Sequence, residues 1–375
     1  MVEIKEISSR SDIKKFIRFP VSLYRNHPYY TPPLETDELQ NLLRDQNAAY
    51  AYCDTRFWLA YREGKIVGRI CALHNKLANE RWKVKRLRFT RFDFIDDMEV
   101  SRALMDQVEG WARELSLTEL QGPIGFCDMD YEGMLVEGFE EMNLFITIYN
   151  APYYLRHMED MGFMKDVDWL ERRIAIPETL DPKYARAGQY VLKKKNLRVL
   201  SLKRTRQALP YVTRIFELLN LCYADLYGMV PLSPAMIQQY KDRFFGFVNP
   251  DYLSIIVDPA DQVVAFGVAI PSLAKASKAG DGRLFPTAWT HFLHDLKVND
   301  TLELLLVAVH PAYQKMGLNG IMIHQIYEKA RENGIKWAET GPTLEENYNI
   351  QAQWGQFESR THKRRRCFVK PVSSR

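Results

Sequence analysis

The residues with the most chemical content stand together in the last quarter of the chain. Leu304-Leu305-Leu306-Val307-Ala308-Val309 runs into His310-Pro311-Ala312-Tyr313-Gln314-Lys315-Met316-Gly317-Leu318-Asn319-Gly320. So short an apolar run reads as a buried strand. Pro311 ends it, and a glycine-bearing turn leads into helical spacing over Gly320–Asn333. Glycine lets backbone N–H groups approach an oxyanion closely, and the unpaired N–H groups and dipole of a helix starting there face the same point. The turn therefore suits a pyrophosphate, with Lys315 adding a point charge. Without such a ligand it is an ordinary strand-to-helix turn.

Other chemistries lack their residues. The five cysteines, Cys53, Cys71, Cys127, Cys222 and Cys367, are far apart and form no CxxC pair. Neither a zinc site nor a disulfide framework is expected, and no metal is called for. There is no GxSxG elbow and no metal-spaced His/Glu set, which removes protease, nuclease and redox roles. The 375 residues, 46% hydrophobic and 26% charged, fit an ordinary globular protein of about two domains.

Net charge is only +4, but basic residues cluster at Arg81–Arg88, at Lys193-Lys194-Lys195 with Arg198, Lys203, Arg204 and Arg206, and at Lys363-Arg364-Arg365-Arg366. Each alone reads as solvated surface. Together they suit an anionic cofactor or an anionic membrane surface. No RRM, KH or zinc-finger pattern occurs, so no nucleic acid partner is expected. With no secretory signal and no apolar run of roughly 18–20 residues, the expected location is the cytoplasm, with peripheral contact at the inner face of the membrane left open.

The elements that must position the turn occur twice. In the first half, Asp12–Tyr24 reads as a helix that Pro20 should kink or interrupt. Phe57–Tyr61 and Lys65–Leu73 form a hairpin about Glu63-Gly64. Arg88–Ile95 is a strand, Glu99–Leu115 a helix, Glu119–Gly122 a strand and Pro152–Met161 a helix, with a strand from Phe163. In the second, Gln207–Tyr227 is helical, and Asp251–Val257 and Val263–Ile270 are hairpin strands. Leu302–Val309 is a strand, Gly320–Asn333 a helix, Ile335–Thr340 a strand, Glu345–Phe357 a helix and Arg366–Val369 a closing strand. This is α/β of the α+β type, with a mixed, largely antiparallel sheet in each half. The expected domains are 1–178 and 199–375, joined by a linker at 179–198.

Gln314, Gly317 and Asn319 occupy the three defining positions of the GNAT acetyl-CoA signature, which the turn resembles. Asn319 stands where Gly or Ala is usual, and Gly320 comes one residue late. Further segments extend the resemblance over nearly the whole chain: Phe19-Pro20, Leu23-Tyr24, Pro32-Pro33-Leu34, Gly68-Arg69-Ile70, Gly122-Pro123, Leu135-Val136-Glu137-Gly138-Phe139 and Pro152-Tyr153-Tyr154. With these the chain is similar to a bacterial family of tandem GNAT-fold proteins associated with bacterial ceramide synthases. The resemblance implies two tandem GNAT-like folds and an acyl-CoA-dependent N-acyltransferase, using acetyl-CoA or a longer acyl-CoA as co-substrate. The acceptor would be a small-molecule or lipid-like amine. The first half has only Asp96-Asp97-Met98 at its corresponding turn, acidic and without glycine, so cofactor binding is expected only in the second.

Carried onto this sequence, the cofactor contacts are Val307, Val309, Gln314, Lys315, Met316, Gly317, Leu318, Asn319, Gly320 and Asn347. Glu303 is the candidate base and Glu339 its rival. A leaving-group acid is not assignable, because Trp354 and Phe357 stand where a tyrosine would be expected and Tyr348 comes too early. His291 and His294 are weaker candidates for lining an acceptor pocket, and His310 reads as a loop residue. Phe244–Val248 and Leu226–Pro231 are apolar enough to line a tunnel. Two other readings remain: a non-catalytic acyl-CoA-binding or regulatory protein, and transfer of an aminoacyl group from tRNA, against which the turn argues.

Overall fold

The computed structural model describes residues 1–179, 183–286 and 288–373. Its strands make one mixed sheet through both halves of the chain. The first half supplies β1 (Glu3–Ile7), β2 (Cys53–Arg62), β3 (Lys65–Asn75), β4 (Arg86–Phe94), β5 (Glu119–Gly122), β6 (Met134–Glu137) and β7 (Met164–Ala175). The second supplies β8 (Arg198–Val199), β9 (Leu253–Val257), β10 (Val263–Pro271), β11 (Thr301–Val309), β12 (Trp337–Thr340), β13 (Thr343–Leu344) and β14 (Ser359–Pro371). Their order is β1-β2-β3-β4-β5-β14-β7-β12-β11-β10-β9-β8, with β6 beside β14 and β13 beside β7.

Each half has one parallel pair, β4 with β5 and β11 with β12. A parallel connection needs a crossover, and the helices Met98–Glu114 and Leu318–Glu332 supply it. The repeated order of elements is therefore present, as a mixed, largely antiparallel sheet flanked by helices.

The closing strands cross the midline. β7 ends the first half but pairs with β12 of the second, and β14 ends the second but pairs with β5 of the first. β7 and β14 also pair with each other, from Ser359 opposite Ile174 to Val369 opposite Met164. The halves share a core as well: Phe16 and Ile17 of the first belong to the same apolar cluster as Ile215, Leu219 and Met236 of the second.

Four local expectations are corrected. Helix Arg10–Leu23 continues past Pro20. Proline at 20 offers no N–H to the Phe16 carbonyl, and Arg69 Nη1 donates to that carbonyl instead, at 2.8 Å. The helix expected at 207–227 is a 3-10 turn, Thr205–Tyr211, and then Val212–Cys222. The one expected at 345–357 is shortened to Tyr348–Gln353, because Thr343-Leu344 pairs with β7.

The fourth correction concerns charge. Lys363 and Arg365, expected on a solvated surface, are fully buried. Strand alternation sends both to one face of β14, where Glu171 of β7 meets each of them. In the linker region, residues 180–182 lie outside the described residues, and Lys183–Lys195 is a helix.

Candidate active site

β11 passes into the glycine turn through a 3-10 turn, Pro311–Tyr313. Lys315 (φ 60°) and Gly317 (φ 83°) are both left-handed, and helix Leu318–Glu332 starts at once. Left-handed residues in a turn aim successive N–H groups to one side, which is how a backbone builds an anion-binding concavity. Gly317 sits at the helix N-cap with no side-chain cap, so the first N–H groups remain open. Leu318, 1% exposed, anchors the helix start, while Gln314 and Lys315 are exposed. Gln314 Nε2 donates to the Val309 carbonyl at 3.2 Å, tying turn to strand. The Gly320 N–H turns back to the Gly317 carbonyl at 3.1 Å. Asn319 lies inside the helix rather than in the left-handed turn, so its departure from the signature leaves the turn intact; its Oδ1 has no partner.

Upstream, β11 loses one neighbour. Thr301–Leu304 pairs with Trp337–Thr340, the Gly341 N–H closes on the Leu304 carbonyl at 3.0 Å, and the ladder stops. From Leu305 to Val309, among the described residues, β10 is the one strand that pairs with it. A register shift at Val268/Ala269 leaves Leu305 as the extra residue of a bulge. The apolar middle of the strand, Leu304–Val307, is partly exposed as a result.

The His310 N–H bonds the Val264 carbonyl at 2.8 Å, so alternation turns the N–H and C=O of Val307 and Val309 away from β10 and into the gap. The Tyr223 hydroxyl donates to the Val307 carbonyl at 3.1 Å, and Cys222 Sγ reaches the Val309 carbonyl at 3.3 Å. A strand edge with open N–H groups, ending at an open helix N-terminus, fits an extended chain that carries amides at one end and a pyrophosphate at the other.

Glu303 lies at the opposite end of β11, six residues before Val309, or about 20 Å at strand spacing. It is 0% exposed. The Ser272 hydroxyl donates to its Oε1 at 2.7 Å and the Phe145 N–H at 3.4 Å, while Oε2 has no partner. Burial pushes this carboxyl up to about 7, the Glu339 charge adds to the rise, and the Ser272 bond opposes it. Phe145 meets Phe292 edge-on at a ring centroid distance of 6.1 Å and Phe247 at a tilt at 6.5 Å, and Leu305 packs in the same cluster. An apolar cluster thus adjoins the residue whose N–H meets this carboxyl.

Glu339 faces Glu303 in the ladder but is held differently. Arg173 lies 3.2 Å away and Lys363 3.7 Å away. Burial raises this carboxyl too, against both cations.

The remaining predicted residues lie apart from this pair. The Asn347 side chain caps helix Tyr348–Gln353 by accepting from the Ile350 N–H. His291 and His294 are exposed on helix Ala288–Asp295, whose Phe292 is the residue buried in the aromatic cluster. His310 Nδ1 accepts from the Ala312 N–H at 3.2 Å, a loop role as expected. Of the Phe244–Val248 run, Phe247 reaches the apolar cluster; the Phe244 side chain lies outside the described residues.

Ser272, Phe145, Tyr223 and Lys363 were not legible as site residues. They come from a strand end, a first-half loop, a helix end and the last strand, and no spacing links them. Among the described residues no group of His, Cys, Asp and Glu is arranged to hold a metal, and no helix is long and apolar enough to cross a membrane.

In the first half the corresponding helix N-terminus is filled. Asp97 caps Met98–Glu114 by accepting from the Glu99 N–H at 2.9 Å and pairs with Arg62. The strand edge is occupied further along as well: the Ile124 N–H donates to the Phe89 carbonyl at 3.0 Å, the Phe94 N–H donates to the Tyr154 hydroxyl at 3.1 Å, and the Tyr153 hydroxyl donates to the Phe94 carbonyl.

A tandem GNAT protein from the clavulanic acid biosynthesis pathway superposes with TM-score 0.59 over 100% of both chains at 12% identity. The chain has the tandem GNAT fold. The GCN5-related glucosamine N-acetyltransferase region of a fungal multi-domain β-N-acetylglucosaminidase gives TM-score 0.55 at 12% identity, over 99% of this chain and 38% of that one. By sequence this GNAT-fold chain is 26% identical to Protein YghO of Escherichia coli strain K12 over 379 residues, 98% of this chain and 95% of that protein. It is also 26% identical to the bacterial ceramide synthase of Caulobacter vibrioides over 300 residues, 78% and 76% of the two chains. No protein-family model matches.

Proposed function

We propose that the second half binds an acyl-CoA along the open edge of β11 and transfers the acyl group to an amine presented to Glu303. The observation that carries this reading is the arrangement along one strand. An open helix N-terminus after two left-handed residues lies at one end, and a buried carboxyl with a free oxygen lies at the other. Met316–Gly320 and Lys315 would hold the pyrophosphate, and the N–H groups of Val307 and Val309 the pantetheine amides.

The chemistry follows from the charge states. An amine arrives as ammonium, and a carboxyl poised near 7 takes one proton from it. The freed nitrogen attacks the thioester carbonyl, and the C–S bond breaks. The second proton lost by nitrogen neutralises the thiolate. Glu339 is less suited to start this, since Arg173 and Lys363 already engage it.

The aromatic cluster of Phe145, Phe247 and Phe292 favours an apolar acceptor of the sphingoid type over a small polar amine. The relative named a bacterial ceramide synthase supports the same preference. Peripheral binding at a membrane would suit such an acceptor.

Thermal stability against CoA, acetyl-CoA and palmitoyl-CoA tests the binding half, because a ligand selective for the native state raises the melting temperature. A shift that disappears in Gly317→Glu is expected. Thiol release from palmitoyl-CoA on adding sphinganine tests the chemistry. A shift without thiol release from any acyl-CoA and amine would leave a binding protein in place of an enzyme.

A further inference from the structure

Acyl transfer from a thioester to an ammonium makes an amide, a thiol and one proton, and that proton is left on a carboxyl with no exposed surface. Resting on the acyl-transfer reading above, we infer that His362 carries this proton from the buried carboxylate pair to Glu141 and so to solvent. His362 lies on β14 with its side chain fully buried. Its Nε2 is 3.9 Å from Glu339, its Nδ1 is 3.5 Å from Glu141, and neither nitrogen has a hydrogen-bond partner. A buried imidazole with both nitrogens unpaired is costly unless it has a use. Each gap is a small side-chain adjustment from a hydrogen bond, the usual state of such contacts before substrate binds.

The path has one element per step. Glu303 and Glu339 are ladder partners on adjacent strands, which lie about 4.8 Å apart, so their side chains share a face. Protonated Glu303 passes its proton to Glu339, and Glu339 passes it to His362 Nε2. The Nδ1 proton leaves to Glu141, whose side chain is 20% exposed and already bound by Arg360. Each carboxylate ends as it began, and His362 is left with its proton on Nε2 in place of Nδ1 until the ring returns to its first tautomer.

The charged groups around His362 cannot do this. Lys363 donates to the Met142 carbonyl at 2.8 Å and faces Glu171 at 3.1 Å and Glu339 at 3.7 Å, so its protons are taken. Arg173 and Arg365 carry guanidinium groups, which donate hydrogen bonds and have no acceptor atom to receive a proton. Glu171 is held down at about 2, where burial is outweighed by Lys363 and Arg365, so it does not take up protons. Burial, with the Lys363 charge, pushes His362 down to about 3, so it passes a proton without keeping it. Glu141 is held below the usual carboxylate range, burial being outweighed by Arg360, and releases what it receives.

Gly138, in the Leu135–Phe139 segment singled out above, lets the Glu141 loop reach this place. It is left-handed (φ 86°), and a Cβ there would stand 2.1 Å from the His362 carbonyl oxygen.

The test is pre-steady-state turnover of palmitoyl-CoA and sphinganine by the parent, His362→Phe, His362→Gln and Glu141→Gln. Glu303 starts ionised, so the first turnover needs no proton exit. The variants should form about one amide per site at the parent rate and then slow at least tenfold, with KM for palmitoyl-CoA unchanged and partial rescue by added imidazole. A steady state equal to the parent's, or a first turnover slowed as much as later ones, overturns the relay while leaving acyl transfer standing. If His362→Phe does not fold, His362→Gln and the surface variant Glu141→Gln decide. A parent that releases no thiol removes both proposals.

Discussion

The Ser272 hydroxyl donates to one oxygen of Glu303 at 2.7 Å, and the other oxygen of the same buried carboxyl has no partner. The bonded oxygen fixes the orientation of the group, and the free one keeps a lone pair for a proton. Glu303→Gln preserves shape and the Ser272 contact but removes the basic oxygen. The expected fall in kcat is about 10²–10⁴-fold, with the thermal shift given by palmitoyl-CoA unchanged. Full turnover in the variant would transfer the role to Glu339 or to another group.

The pH dependence has two faces. Glu303 is raised to about 7 in the fold, above its value in the unfolded chain, so the native state binds the extra proton between about 4.5 and 7. Its contribution to stability is full below that window and is lost as pH rises through it, by up to about 3 kcal/mol. Activity runs the other way, since the base works only when ionised. Between pH 5 and 8 the melting temperature of the parent should fall relative to Glu303→Gln, while kcat/KM of the parent rises. A flat difference in melting temperature would mean that Glu303 is not buried as described.

What the sequence made legible was local. Glu63-Gly64 was readable as a hairpin because both residues take left-handed angles that glycine makes easy. The turn before Leu318 was readable because an apolar strand, a glycine and helical spacing follow one another without interruption. Partners distant in the chain were not. Arg365 meets Glu171, Asn143 and Thr147 only because β14 runs between β5 and β7, and alternation along Lys363–Arg366 gives the facing of each side chain but never the strand beside it. Phe145 and Ser272 reach Glu303 for the same reason, one across the two halves and one from the neighbouring strand.

Two helix glycines should respond oppositely to alanine. At Gly110, in Met98–Glu114, an added Cβ meets nothing within 4 Å. Gly110→Ala should stabilise by about 1 kcal/mol, the difference in helix propensity. At Gly188, in Lys183–Lys195, the Cβ would stand 2.6 Å from the Gly317 carbonyl oxygen and 2.6 Å from Ile321. Overpacking of this kind costs about 1–3 kcal/mol, so it outweighs the propensity gain. The displaced atoms include the turn proposed to hold pyrophosphate, and Gly188→Ala should therefore also shrink the thermal shift given by CoA. A stabilised Gly188→Ala with an unchanged CoA shift would show that the helix does not seat on the turn.

Lys363 links stability to the state of the base. It is fully buried and stands against Glu171 and Glu339, so Lys363→Met leaves two buried carboxylates short of a counter-charge. Breaking a buried pair from one side costs about 3–5 kcal/mol. Adding Glu339→Gln removes one of the stranded charges and should recover part of that loss, which a double-mutant cycle in urea reads directly. The Lys363 charge also holds Glu303 down against burial and Glu339. Without it the acid limb of kcat/KM should move above about 7, in the direction opposite to what a general loosening of the site would give, since water entry would lower a carboxyl raised by burial. An acid limb that stays put or moves down in a folded Lys363→Met would remove β14 from control of the base.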